Sequence, residues 1–394
     1  MGRHAFAMIW ALRLWLSGIC LFAFFLIARH VDAQNGWVLG DWMIDYRQGF
    51  VRRGLTGELA QALSAWLPGA AVLYTGLFVA VAWLVIGLYF ARVLTAIRMP
   101  CWYVLLVLSP AGLFFSVYGA DQVGRKEILL FASLAVYVWR LISGARDGLL
   151  IQMLWALWGA CLVLMHEGAV FYGPYFLMAA YWGGRRKDAL VSAMGLMAGM
   201  LIATLLLLAL AEPLNGRALC SSLVMEGRMS ASICDGTIKW PLHSIADSFN
   251  NALVTVKHFN YLAVYGLSLM LIVAPVWVWR ILDRSNAGAL HPPLWAFAVV
   301  WLLSLPLFLI AVDWGRFIQT HVVLATLVLA LNLPRRSEHQ ALVAWRSLVE
   351  ARWRLPVLLL TLSSYVFWNL PVCCQADIGG GLIPKIKAAT HLLG

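Results

Sequence analysis

Apolar runs recur along the chain near residues 6–28, 72–91, 101–118, 127–141, 149–165, 168–182, 189–211, 261–279, 294–312, 317–333 and 355–371. With roughly 17 to 25 residues needed to cross the hydrocarbon of a bilayer, each run predicts a transmembrane helix. The expected fold class is therefore an all-α polytopic membrane protein of about eleven spans, a single integral-membrane domain over residues 1–394. Prolines interrupt several runs, around His166 to Pro174 and at Pro275 and Pro306, and predict tilted, re-entrant or interfacial pieces there. Between the first two runs the pattern changes. From Tyr46 to Leu63, Phe50, Leu55, Leu59 and Leu63 alternate with Arg47, Arg53, Glu58 and Gln61 at near-helical spacing. That predicts a short amphipathic helix or pair lying in the outer interface, with Gly49, Gly54 and Gly57 permitting turns or close backbone approach.

Composition agrees. Hydrophobic residues make up 62% of the chain, with twenty tryptophans, against roughly 45–50% in a soluble domain; mean hydropathy is +0.82. Arg3, His4 and Arg13 precede the first run and no cleavage site of small residues follows it, so the expectation is a retained signal anchor that starts in the cytoplasm. The net charge of +11 would suggest nucleic acid in a soluble protein, but its placement removes that reading. The connectors carrying Arg92, Arg98, Arg140, Arg146, Arg185, Arg186, Lys187, Arg280, Arg284, Arg335, Arg336, Arg346, Arg352 and Arg354 fall on the side of Arg3 and Arg13. Sixteen of the twenty-nine bases but five of the eighteen acids lie there, and by the positive-inside rule that side is the cytoplasm.

The opposite face holds the long segments: an opening loop over 29–71, a middle loop over 212–260 and a tail over 372–394. Function is expected there, at the periplasmic or extracytoplasmic face of a bacterial inner membrane. Cys220, Cys234, Cys373 and Cys374 share that oxidising face, where a bridge from the middle loop to the tail would pin the tail over the loop. No internal repeat of the transporter kind occurs.

Candidate chemistry gathers in four outer turns. The stretch GDWMIDYRQGFVRRGLTGE carries Asp41, Asp45 and Glu58 with Arg47, Arg52 and Arg53, in a chain that is 12% charged overall. The turn GADQVGRKE brings Asp121, Arg125, Lys126 and Glu127 to the start of a helix. Acids there suit the helix dipole, whereas the Arg-Lys pair opposes it and calls for another reason. His166 and Glu167 sit between two apolar runs without a spacer, so a carboxylate is driven into partial burial. In AVDWGRF, Asp313 and Arg316 are three residues apart and can satisfy one another as a plain salt bridge. Taken together, the four turns offer acid plus base on one face.

Sugar transfer from a polyprenyl phosphate needs a carboxylate to accept the acceptor's proton, cations for the departing phosphate and an apolar groove for the lipid. Asp41 or Asp45 would be the base, with Glu167 as a further catalytic candidate; Arg47, Arg52, Arg53, Arg125 and Lys126 would meet the phosphate. Trp37, Trp42, Tyr46 and Phe50 could stack on sugar faces. The arrangement resembles the GT-C superfamily of integral-membrane glycosyltransferases: an Asp and amphipathic helices in the first outer loop, then acids and bases in the second. The resemblance implies inverting transfer from a polyprenyl-phosphate-linked sugar donor, with Asp41 or Asp45 as base and Asp121 or Glu127 as the acidic residue of the second loop. Asp313, Arg316 and His166 complete the substrate-binding candidates. The chain departs from that family in having no DxD or ExD pair and no soluble domain after the last run, which points to a lipid-linked or glycan acceptor.

The chain is also similar to polymerases of surface-polysaccharide repeat units, where Arg47, Arg52, Arg53, Arg125 and Arg228 would hold a pyrophosphate. A flippase or transporter is the reading from another class; it predicts ionisable groups deep within helices, where this sequence is almost wholly apolar. No cofactor is demanded. A divalent metal on Asp41, Asp45 or Asp121 could assist the phosphate, but no ligand spacing requires one. The expected partners are thus the lipid-linked donor, the acceptor and membrane lipid, without nucleic acid.

Overall fold

The computed structural model describes residues 3–67, 70–96, 100–183, 186–212, 215–225, 230–234, 236–238, 245–282, 294–333, 354–374 and 378. The described residues form helices and turns only. The long helices are α1 (Arg3–Asp32), α4 (Ala71–Ala96), α7 (Glu127–Ile142), α8 (Leu149–Met165), α10 (Lys187–Leu210), α13 (Tyr261–Leu282), α14 (Leu294–Ile310), α15 (Trp314–Leu329) and α16 (Arg354–Phe367). Between them lie α2 (Gly36–Leu39), α3 (Gly54–Trp66), α5 (Cys101–Leu108), α6 (Phe115–Tyr118), α9 (Pro174–Trp182), α11 (Gly216–Met225) and α12 (Ile245–His258). Among the described residues, four helices contain segments long and apolar enough to cross a membrane: Leu12–Asp32, Ala71–Val93, Lys187–Leu210 and Tyr261–Trp279. The basic connectors around Arg98, Arg185, Arg284 and Arg335 to Arg352, together with Arg228 and the tail beyond Cys374 except Ile378, lie outside the described residues.

Two expected spans break, each at a proline. The run at 101–118 ends as α5 at Leu108, because Ser109 precedes Pro110 and takes an extended backbone of φ −54°, ψ 140°, which an X-Pro residue favours over the helix. The run at 168–182 divides at Gly173-Pro174 into a 3-10 turn, Glu167–Tyr172, and α9, whose first residue is the proline. Pro275 and Pro306, by contrast, sit inside continuous helices.

Burial separates the helices by role. α7 and α15 are enclosed, with residues such as Leu134, Ala135, Val138, Leu324, Leu327 and Val328 under 1% exposed, and they pack against each other. α4, α8, α10 and α13 instead present leucines outward, among them Leu77, Leu84, Leu157, Leu205 and Leu262, all at least half exposed; a one-sided apolar surface of that kind suits lipid. The tightest pair is α8 with α10, where a Cβ at Gly159 would overlap the Leu196 carbonyl and one at Gly199 the Ala156 carbonyl. Small residues let two backbones meet in this way when no hydrophobic effect drives helices together.

The opening loop is folded. Asp41 lies in a 3-10 turn, Gly40–Met43, whose Asp41 amide donates to Thr237 Oγ1 at 2.8 Å, and Trp42 is fully buried with its indole donating to the Gly124 carbonyl at 2.6 Å. Trp42 therefore belongs to the core and is not available to stack on a sugar. Only the second half of the expected amphipathic stretch is helical, as α3; Gly49 turns the chain before it with φ +103°. Glycine is required at Gly57, where a Cβ would overlap the Ile44 carbonyl. The cysteines pair as Cys220 with Cys234 and Cys373 with Cys374. The middle loop is thus stapled to itself, and no disulfide runs from these four cysteines to join loop and tail.

Candidate functional site

The enclosed helices α7 and α15 both begin at the same end of the bundle, and their first turns carry charge. Glu127 opens α7 and Arg316 lies in the first turn of α15; Arg316 Nε is 3.1 Å from Glu127 Oε1 and its Nη2 is 2.8 Å from Asp313 Oδ2. His166, at the end of α8, places Nε2 3.3 Å from the same Glu127 oxygen. Glu167 accepts two hydrogen bonds from Arg53, at 2.7 and 2.8 Å, in a fork-to-fork pair. Arg53 also lies 3.6 Å from Asp41. Residues from all four charged turns therefore meet in one cluster.

Backbone strain helps to aim Arg53. It precedes α3 with φ +65°, a left-handed conformation uncommon for a side chain other than glycine or asparagine. Such strain persists where surrounding contacts fix it, and here the Glu167 pair and the Asp41 carboxylate do so. Lys126 is 2% exposed and finds no carboxylate at hydrogen-bond distance among the described residues. Its ammonium donates to the carbonyls of Asp41, at 2.8 Å, and Arg53, at 3.3 Å, and faces the Trp42 ring at 5.7 Å. Burial pushes its pKa down to about 8, against the opposing pull of Asp41. At Glu167 burial works against ionisation too, but the Arg53 charge outweighs it and holds the carboxyl below its ordinary range.

Five polar atoms in the cluster are covered yet make no hydrogen bond: Glu127 Oε1 and Arg316 Nε, which face one another as an ion pair, and Asp41 Oδ1, Arg125 Nε and His166 Nδ1. Arg125 is the distinctive member. Its turn is clamped by the Trp42 indole on the Gly124 carbonyl and the Trp83 indole on the Val123 carbonyl, at 2.6 and 3.1 Å. Its guanidinium forms no ion pair among the described residues, while burial and the like charge of Arg316 both lower its pKa.

Asp45 and Asp121 make other contacts. Asp45 is fully buried and bound to Arg47, with Arg47 Nε 2.7 Å from Oδ2 and the Arg47 amide 3.1 Å from Oδ1. Arg52 is half-buried in the turn before α3, and Asp121 is exposed, its charge acting on His30. Asp41, Asp45 and Asp121 do not form a metal site: among the described residues no group of three His, Cys, Asp or Glu could hold an ion.

The helix interiors hold a second polar group that the apolar pattern concealed. His321 on α15 bonds Tyr175 at 3.0 Å and Ser304 at 2.8 Å through its two ring nitrogens, and stacks on Trp301 with centroids 4.2 Å apart. The run Gln319-Thr320-His321 was its signal in the sequence. An apolar cleft of about 280 Å³ lies elsewhere, between α13 and α16 beside Pro275, Trp279 and Thr361, and no residue of the charged cluster lines it.

Residues 9–249 match the family described as "Uncharacterised membrane protein Rv1490". The chain belongs to that family. The match spans the opening loop, the turn carrying Arg125 to Glu127 and the His166-Glu167 turn, so three of the four turns of the cluster fall inside the family region, and Asp313 and Arg316 fall beyond it. No curated protein and no solved structure matches the chain.

Proposed function

We propose that the protein is a membrane glycosyltransferase that moves a sugar from a polyprenyl-phosphate-linked donor to a lipid-linked or glycan acceptor in cell-envelope synthesis. The observation that carries this reading is the convergence of four cations and four carboxylates from four separate turns, with Asp41 Oδ1 and Arg125 Nε left without hydrogen bonds. In the reaction Asp41 accepts the proton of the acceptor hydroxyl as its oxygen bonds to the anomeric carbon. The carbon-to-phosphate oxygen bond breaks and the electron pair leaves with the lipid phosphate, whose growing charge is met by Arg125, with the fields of Lys126 and Arg316 behind it. Asp41 is favoured over Asp45 because Arg47 already occupies both Asp45 oxygens. Around this site we infer a single unit of about eleven spans in a bacterial inner membrane, N-terminus in the cytoplasm and cluster on the extracytoplasmic side. Transfer of glucose from farnesyl phosphoryl glucose by the purified protein tests it: Asp41→Asn should abolish transfer and Asp45→Asn should weaken it less. Equal, unimpaired transfer in both variants overturns the assignment of the base.

A flippase or transporter reading draws on His321, an ionisable residue enclosed within the helices. Both of its ring nitrogens are bonded, which suits a fixed structural tie better than a moving charge.

A further inference from the structure

We infer that the Arg125 guanidinium is the seat of one singly charged phosphodiester group, an inference that rests on the lipid-phosphate reading above and names its ligand. The other cations of the cluster are already engaged. Arg53 is held by Glu167 and Asp41, Arg316 by Glu127 and Asp313, and the Lys126 ammonium by two backbone carbonyls. Arg125 alone among these four has neither a carboxylate within ion-pair distance nor a side-chain hydrogen bond among the described residues, and its Nε is covered.

Arg125 is half-buried with its Nε covered, and a guanidinium nitrogen taken out of water without a partner is costly, a cost that an arriving anion recovers. The fork of donors suits the paired oxygens of a phosphate. Charge limits the ligand. Arg53, Lys126 and Arg316 have their contacts filled by Asp41, Glu127, Glu167, Asp313 and two backbone carbonyls, and Arg125 adds one positive charge that no ion pair among the described residues answers. A diester with one negative charge is matched by the single unengaged arginine. A dianion would leave a second charge facing carboxylates that are already in place. The turn is also rigid, since two indoles hold the Val123 and Gly124 carbonyls and a Cβ at Gly124 would collide with Val38.

Two sources carry this chemistry, a lipid headgroup and a lipid-linked sugar. The full chain in detergent micelles is titrated with phosphatidylglycerol, with farnesyl phosphoryl glucose, with zwitterionic phosphatidylcholine and with inorganic phosphate, following affinity and melting temperature. Diester monoanions should bind wild type and raise its melting temperature, with inorganic phosphate and phosphatidylcholine roughly tenfold weaker or worse; the tighter of the two diesters names the source. Arg125→Met should lose roughly tenfold or more in diester affinity and, without ligand, melt at or above wild type because a half-buried, unpaired charge is gone. Arg125→Lys should fall between. An unchanged diester affinity in Arg125→Met overturns the inference, and so does a lowered melting temperature or a variant that does not fold, since either marks Arg125 as structural. Inorganic phosphate binding as tightly as the diesters overturns the stated charge. Diester binding without sugar transfer leaves the seat standing and removes the glycosyltransferase reading; transfer with unchanged KM in Arg125→Met removes the seat and leaves that reading.

Discussion

Helix α7 has a charged cluster at each end, and the two are built differently. At its C-terminal end Arg140 donates to Asp147 Oδ1 at 2.6 Å through Nη2, Ser192 donates to Asp147 Oδ2 at 2.7 Å, and the Asp147 amide donates to Asp188 at 2.9 Å. Arg186 binds Asp188 and the Ala145 carbonyl. These partners tie the α7–α8 connector to the start of α10, and both Asp147 oxygens are occupied. At the N-terminal end the charges are also paired, yet Asp41 Oδ1, Arg125 Nε and His166 Nδ1 make no hydrogen bond. A network that only holds the fold together tends to satisfy its own members. One that leaves covered donors and acceptors unmatched spends stability on something other than the fold, and a ligand is the natural candidate.

Substitution should separate the two ends. The largest effect is expected for Asp41→Asn, with transfer reduced about 10²–10⁴-fold and the melting temperature of the purified protein close to wild type. At the other end Asp147→Asn should do the reverse, costing on the order of 1–3 kcal/mol of stability by leaving the buried position without the carboxylate that Arg140 and Ser192 share, with turnover per folded molecule unchanged. Chemical denaturation in micelles alongside the transfer assay reads both. If Asp41→Asn proves as destabilising as Asp147→Asn while transfer persists, the cluster at the N-terminal end of α7 is a second structural clasp.

Titration sharpens the contrast further. Lys126 has a folded pKa near 8, below the ordinary lysine value of 10.5. Below pH 8 the ammonium is charged in both folded and unfolded chains and its burial cost is fully present. Between pH 8 and 10.5 the unfolded chain binds the extra proton, so stability should rise with pH by up to about 3 kcal/mol. Over the same interval anion affinity should fall as the ammonium is lost. Lys126→Met should flatten both curves, and parallel rather than opposed trends would count against a phosphate role. The smallest effect is expected for Ser192→Ala, about 1 kcal/mol from one hydrogen bond to Asp147, read by the same denaturation and with no change in transfer.

Much of this architecture was legible in the apolar pattern, because a bilayer demands long apolar runs and the chain obeys with helices at the expected places. The turns that carry Asp41, Arg53, Arg125, Glu127, Glu167 and Arg316 were legible as well, since charge is scarce and stands out against 62% hydrophobic residues. The two broken spans were marked by Ser109-Pro110 and Gly173-Pro174, but proline alone could not tell them from Pro275 and Pro306, which α13 and α14 accommodate. That difference depends on the packing around each proline.

What the chain determined by itself was therefore membrane residence, helical content and the list of charged turns, all consequences of local hydrophobicity and spacing. Pairing was decided only by the tertiary structure. Asp45 and Asp41 are four residues apart in similar surroundings, yet one is wrapped by its neighbour Arg47 and the other meets Arg53 beneath a loop held on Thr237. Arg125 and Arg316 look alike in sequence, and which of them finds carboxylates depends on how the first turns of α7 and α15 come together. Electrostatic partnership falls off over a few ångströms, so it is fixed by the packing of distant segments and leaves no periodic trace along the chain.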